Sequence, residues 1–306
     1  MEQHTELEGI LAVWKPAGWT SHDVVAKVRR LARMRRIGHA GTLDPQVTGV
    51  LPLCLGRATR AIEYLQELPK AYEAVMRLGV ATDTEDMTGT VVETADASHV
   101  TESMVREALA RFIGEIEQVP PMYSAVKVGG RKLYELAREG KTVEREPRNV
   151  TIHSLELKFA ELGGPEPRIG FGAVCSKGTY IRTLCVDIGR ALGVPAAMES
   201  LVRTRSAGLG ESDCLTLERI GELAASGGLA GALLPVDRAL DRYPRVDVGA
   251  AAAARAAQGQ RIRLPAGQAS GLVRLYGEGR FVGLFEADGG AGVLKPVKVF
   301  ASAEDF

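Results

Sequence analysis

The segment Gly38-His39-Ala40-Gly41-Thr42-Leu43-Asp44-Pro45-Gln46-Val47-Thr48-Gly49 isolates one carboxylate in a glycine-rich, proline-stopped loop between two apolar runs. Pro45 biases Asp44 away from the helical region, and Gly38, Gly41 and Gly49 allow turns that a side chain would obstruct. A carboxylate with an ordinary pKa near ~3.9 is already ionised at neutral pH, so it can act as a nucleophile without an activating base and needs positioning more than activation. Taken alone, the same residues also fit a plain turn opened by an Asp-Pro pair.

Other chemistries find less support. Gly140-Lys141-Thr142 ends like a phosphate-binding loop, but Glu135 stands where that motif needs its first glycine. His4, His22, His39, His99 and His153 are too scattered for a metal site. Cys54, Cys175, Cys185 and Cys214 form no CxxC pair and have no His partner at ligand spacing, so they read as buried thiols in a reducing cytoplasm. Neither a metal nor a cofactor is expected.

Five blocks in order carry a resemblance. The Asp44 segment continues into Thr48-Gly-Val-Leu-Pro-Leu-Cys-Leu-Gly-Arg-Ala-Thr59; Lys15-Pro16-Ala17-Gly18-Trp19-Thr20-Ser21 precedes it. Lys70-Ala71-Tyr72, the block Pro120-Pro121-Met122-Tyr123-Ser124-Ala125-Val126-Lys127, and the run from Cys175 through Thr179-Tyr180-Ile181-Arg182 to Leu184 follow. From about residue 9 to about residue 240 the chain resembles the TruB-type bacterial tRNA pseudouridine synthases that act on uridine 55 of the T loop. Trp14 departs from the family, which usually has an acidic residue before Lys-Pro, and this puts only local packing in doubt.

The resemblance implies a role for each matching residue. Asp44 takes the part of the nucleophile, with attack on the base, attack on ribose C1′ and a glycal route all left open. Arg182 matches the arginine that pairs with this aspartate, a task suited to a guanidinium fork. Tyr72 corresponds to the ring that stacks on the target uracil where the C5 proton leaves. His39 is expected to enter the disrupted T loop, and Tyr180 and Leu201 to line the pocket around the extruded nucleotide. Lys15 fits either a structural or a phosphate-facing position. Arg182, Tyr72 and His39 would otherwise read as a helix-surface arginine, a core ring and a loop-capping histidine.

Composition bounds the rest. The 306 residues are 45% hydrophobic, enough for one sizeable core and a smaller second domain. No charged leader opens the chain and the alanine run at 250–257 is too short to cross a membrane, so a soluble, cytoplasmic protein is expected. The 38 basic and 38 acidic residues cancel, but Lys27, Arg29, Arg30, Arg33, Arg35 and Arg36 form an acid-free basic stretch, whereas residues 83–117 are strongly acidic. Such asymmetry can orient a polyanion on one face, although a basic helix face can also be merely solvated.

Periodicity supplies the scaffold. A strand is predicted over 9–14, then a helix capped by Thr20 and Asp23 with Val24, Val28 and Leu31 inward. Strict alternation predicts a half-buried strand over 71–79, with Tyr72, Ala74, Met76 and Leu78 on one face. A helix at 102–113, strands at 122–128, 150–159 and 168–175, and a helix with the stripe Ile181, Leu184, Ile188 and Leu192 follow, the last ended by Gly193 and Pro195. Arg182 lies off that stripe. Without βαβ alternation the expectation is an α+β catalytic domain, residues 1–244, around a mixed or antiparallel sheet. Short β runs at 261–264, 272–276, 280–286 and 293–300 predict a small C-terminal β-barrel, residues 245–306, which resembles the RNA-binding PUA domain.

The resulting expectation is a monomeric isomerase that modifies the tRNA T stem-loop without guide RNA, metal or membrane. A non-catalytic RNA binder or tRNA-folding chaperone, and a guide-dependent relative acting on ribosomal RNA, are the alternatives.

Overall fold

The computed structural model describes residues 7–265 and 270–306; His4 lies outside them. A nine-stranded mixed sheet forms the larger part. Its main elements are β1 (Gly9–Lys15), α1 (Ser21–Leu31), β2 (Thr48–Leu55), β3 (Lys70–Leu78), α2 (Glu102–Arg111), β4 (Gly114–Gln118), β5 (Arg148–Glu161), β6 (Arg168–Cys175), α3 (Ile181–Leu192) and β7 (Ala196–Ser206). The strand order is β1-β2-β7-β3-β6-β5-β4, with short strands Ile37–His39 on β2 and Leu209–Gly210 on β7. Only the contact between β7 and β2 is parallel on this path, so β7 is the seam of the sheet.

The central strands explain why the core forms where it does. In β2, Val50 and Cys54 pack into one apolar cluster, and Leu51, Leu53 and Leu55 pack into another on the opposite face. A strand buried on both sides reads as a continuous apolar run, and each leucine so buried contributes about 1.5–3 kcal/mol. In β3 the inward residues Tyr72, Ala74, Met76 and Leu78 are buried, matching the predicted alternation. The third cluster forms on that face, under α2 and α3.

The helices begin and end where their caps dictate. Thr20 and Asp23 exchange the reciprocal bonds of a capping box at 2.9 and 3.0 Å. Ile181, Leu184, Ile188 and Leu192 are all buried, and Gly193, at φ 76°, closes α3 in the left-handed conformation that glycine adopts freely.

One expected element is much shorter. The strand predicted over 122–128 is reduced to Lys127–Val128, which turns through Gly129-Gly130 into Arg131–Lys132. The preceding residues form bends outside any strand, where the Tyr123 carbonyl accepts from Arg182 and the Ser124 carbonyl from the Tyr134 amide.

Beyond residue 244 a five-stranded sheet is built from β8 (Arg245–Val248), β9 (Ile262–Arg263), β10 (Gly271–Gly277), β11 (Arg280–Asp288) and β12 (Val293–Val299), in the order β8-β10-β11-β12-β9. The alanine run at 250–257 is a helix that packs Ala253 and Ala256 into this sheet's core; it was not foreseen because alanine carries no strong periodic signal, nor was β8, whose four residues are too few to show one. Phe300 inserts into the cluster of the larger sheet beside Ile10, Ala58 and Val236. No helix among the described residues is long and apolar enough to cross a membrane.

Candidate active site

The loop that carries Asp44 is pinned on both sides. Before it, the Leu43 amide donates to Ser21 Oγ at 2.9 Å, and that hydroxyl donates back to the Leu43 carbonyl at 3.3 Å. After it, the Pro45 carbonyl accepts from the Gly18 amide and from Lys15 Nζ, both at 2.9 Å. Leu43 and Val47 point into the core cluster that contains Tyr72. With its neighbours fixed, the Asp44 side chain is left 45% exposed. A half-exposed carboxylate on an immobile backbone is what a positioned nucleophile requires.

Arg182 comes to this carboxylate from the first turn of α3. Its Nη2 lies 3.0 Å from Asp44 Oδ2, and the guanidinium is buried. Nη1 donates to the Thr84 carbonyl at 3.0 Å and Nη2 to the Tyr123 carbonyl at 2.9 Å. Asp86 Oδ2 stands 4.0 Å from Nε. A planar fork held by two carbonyls cannot swing away from Asp44, so the pair fixes the carboxylate's orientation.

Tyr72 lies on β3 with its ring in the same cluster, 9% exposed. Burial raises the pKa of its phenol, and the neighbouring Arg203 opposes that rise. Leu201 on β7 packs against this cluster and is half-buried. Tyr180 is the N-cap residue of α3, held by Gln118, whose Oε1 accepts from the Tyr180 amide at 3.0 Å and whose Nε2 donates to its carbonyl at 3.2 Å.

His39 stands at the start of the loop, edge-on to His22 with ring centroids 5.4 Å apart. Burial, with help from His22 and Arg203, holds its pKa below the ordinary value. Its Nδ1 is buried without a hydrogen-bond partner. Lys15, left open between two positions, takes the inward one. It is completely buried and its amine donates to the carbonyls of Pro16, Trp19 and Pro45 at 2.8, 2.6 and 2.9 Å, so it ties β1 to the loop. Burial pushes this amine down to about 8, with Asp44 acting in the opposite direction.

Three contributors were not read from the sequence. Ser21 was seen only as part of a matching block, and Asp86 only as one acid in an acidic stretch. Asp86 is fixed by the Thr84 hydroxyl and the Thr88 amide. Arg203 is buried on β7 and donates to the carbonyls of Val50, Thr42 and Gly41. No strand was predicted over 196–206, so nothing in the sequence singled Arg203 out. Away from the site, Arg29, Arg30, Arg33, Arg35 and Arg36 are exposed, giving the basic stretch an open face.

A carboxylate held 3.0 Å from a buried guanidinium, on a loop that packs into the same cluster as an aromatic ring, is an arrangement that can present a nucleophile. Three family models match this chain. The TruB family pseudouridylate synthase N-terminal domain matches residues 29–181, the tRNA pseudouridylate synthase B C-terminal domain residues 182–241, and the pseudouridine synthase II TruB C-terminal domain residues 244–300. The tRNA pseudouridine synthase B of Symbiobacterium thermophilum is 55% identical over 258 residues, 84% of each chain. That of Bacillus licheniformis is 45% identical over 310 residues, covering 97% of this chain and 99% of its own. Among solved structures, a chain of a Cbf5-Nop10-Gar1 complex superposes with a TM-score of 0.74 at 29% identity, covering 97% of this chain and 86% of that one. The chain therefore belongs to the TruB family of pseudouridylate synthases, which are isomerases.

Proposed function

We propose that this protein converts uridine 55 in the T loop of tRNA to pseudouridine, acting in the cytoplasm as a monomer without guide RNA. The observation that carries the reading is the ion pair between Asp44 and Arg182 beside the Tyr72 ring. The relatives that are 41–55% identical are named tRNA pseudouridine synthase B, whereas the ribonucleoprotein chains stand at 27–29%. This favours tRNA as the substrate and a free enzyme as the catalyst.

In this reading the reaction is an internal rearrangement. The N1–C1′ bond breaks, the uracil turns, a C5–C1′ bond forms, C5 loses its proton and N1 gains one. The product has the formula of the substrate, so no redox or energy cofactor enters the balance. Asp44 is the nucleophile, Arg182 holds it in line, and Tyr72 stacks on the base at the edge from which the C5 proton departs.

A uridine within the folded T loop must first leave its stack, at a cost of a few kcal/mol. Stacking on one ring returns about 1–3 kcal/mol, so Tyr72 needs the help of Tyr180 and Leu201 around the base and of His39 in the vacated loop. The domain from 245 to 306 and the arginines of α1 supply phosphate contacts, which makes binding fall steeply with salt.

The test is to incubate the protein alone with an unmodified T-arm stem-loop and map pseudouridine in the product. Modification at the position of uridine 55 supports the proposal. Binding without product favours a tRNA chaperone, and activity only in an assembled guide complex favours a guide-dependent enzyme.

A further inference from the structure

Arg203 heads the fully buried side chains by volume, at 1% exposure, and the reaction chemistry described above makes no use of it. Its place in the sheet is specific. Through the antiparallel contact of β7 with β3 it stands opposite Tyr72, and through the parallel contact of β7 with β2 it stands opposite Gly49, which ends the Asp44 loop. The strands approach so closely that a Cβ on Gly49 would lie 2.2 Å from the Arg203 carbonyl oxygen. The guanidinium then reaches under the loop, with Nε 2.8 Å from the Val50 carbonyl, Nη1 3.3 Å from that of Thr42 and Nη2 3.1 Å from that of Gly41.

We propose that Arg203 is a positioning residue for the isomerisation: from the strand position opposite Tyr72, its guanidinium sets the placement of the Asp44 loop relative to the Tyr72 ring. The inference rests on the roles given above to Asp44 and Tyr72.

Burying a guanidinium among carbonyls is a poor way to stabilise a core, because apolar side chains of similar volume commonly do as well or better. What the fork provides that an apolar residue cannot is direction. Three donors in one plane fix three carbonyls of a loop that has little regular structure of its own. Gly41 and Thr42 lie just before Leu43, so this grip acts on the side of Asp44 that Lys15 and Gly18 do not reach. The register that sets Arg203 opposite Tyr72 ties the second partner to the same strand position. A shift of about 1 Å between reacting groups can lower a rate about 10²-fold while leaving binding intact.

The experiment compares wild type, R203K, R203M and D44N on full-length unmodified tRNA. Single-turnover rate, tRNA dissociation constant and thermal unfolding are measured for each, with rates normalised to the folded fraction. R203M is expected to lose about 10²-fold in rate, and R203K about tenfold because an ammonium cannot span three carbonyls in one plane. Both should keep tRNA affinity within about threefold. If R203M does not fold, the R203K rate decides.

R203K and folded R203M within about twofold of the wild-type rate would overturn the proposal. So would a loss that vanishes on normalisation, since Arg203 would then serve stability only. D44N active at the wild-type rate would overturn the underlying site assignment instead, and with it this inference. Pseudouridine at a position other than 55 would contradict the proposed substrate site while leaving the Arg203 comparison readable.

Discussion

Lys15 Nζ donates to the Pro45 carbonyl at 2.9 Å, which ties β1 to the residue that follows Asp44. The amine's other partners, the carbonyls of Pro16 and Trp19, are local, so the Pro45 bond is the one that crosses between elements. Replacing Lys15 by Met removes a costly buried charge but takes the side-chain donor from the carbonyls of Pro16 and Trp19 and leaves that of Pro45 with the Gly18 amide alone. K15M is expected to lose about 1–3 kcal/mol of stability, with tRNA affinity within about threefold of wild type. Denaturant unfolding and filter binding check this. Unchanged stability with binding weakened tens of times would return Lys15 to a phosphate.

Arg182 meets Asp44 while its remaining donors serve the carbonyls of Thr84 and Tyr123. A lysine there reaches at most part of this set. R182K is expected to lower the single-turnover rate about 10²-fold, and R182M to lower it further and destabilise the fold by at least about 2 kcal/mol. Stopped-time assays of pseudouridine formation and chemical denaturation check both. An R182K rate near that of wild type would show that the pair does not orient the carboxylate.

His39 gives the pH dependence. Its folded pKa is depressed below the ordinary 6.5, first by burial, then by His22 and Arg203, against a bond with the Gly41 backbone that raises it. The unfolded chain therefore takes up a proton at a higher pH than the folded one. As pH falls through 6.5 the unfolded state is favoured, and the stability present above that value is progressively lost. Denaturation at pH about 5.5 and about 7.5 should show this slope, and H39Q should flatten it. A slope unchanged in H39Q would assign it to other groups.

Phe300 anchors the C-terminal sheet on the larger one, its ring 5.3 Å from that of Phe281. The nearby Lys298–Glu63 pair is partly exposed and contributes about 0–1 kcal/mol. F300A is expected to cost about 3 kcal/mol and to weaken binding of full-length tRNA, leaving the rate on saturating stem-loop within about twofold. A collapse of that saturating rate would contradict the division of labour between the two parts.

Much of this was legible because strong local patterns coincided with tertiary roles. The alternation in β3, the Thr20–Asp23 box and the α3 stripe each have one physical solution, and the structure adopts it. The residues 122–126 misled, since their apolar content serves a segment whose carbonyls are used by Arg182 and Tyr134. Arg203 and Asp86 escaped for a common reason. Their partners come from other elements, so their meaning depends on strand register and loop approach, which spacing does not encode.

The most direct measurement is the single-turnover conversion of uridine 55 in unmodified tRNA by wild type and by D44N, with the dissociation constant of each. The nearly isosteric change should lower the rate more than about 10³-fold while affinity stays within about threefold. A D44N rate within about tenfold of wild type would contradict the assignment of Asp44 as the nucleophile.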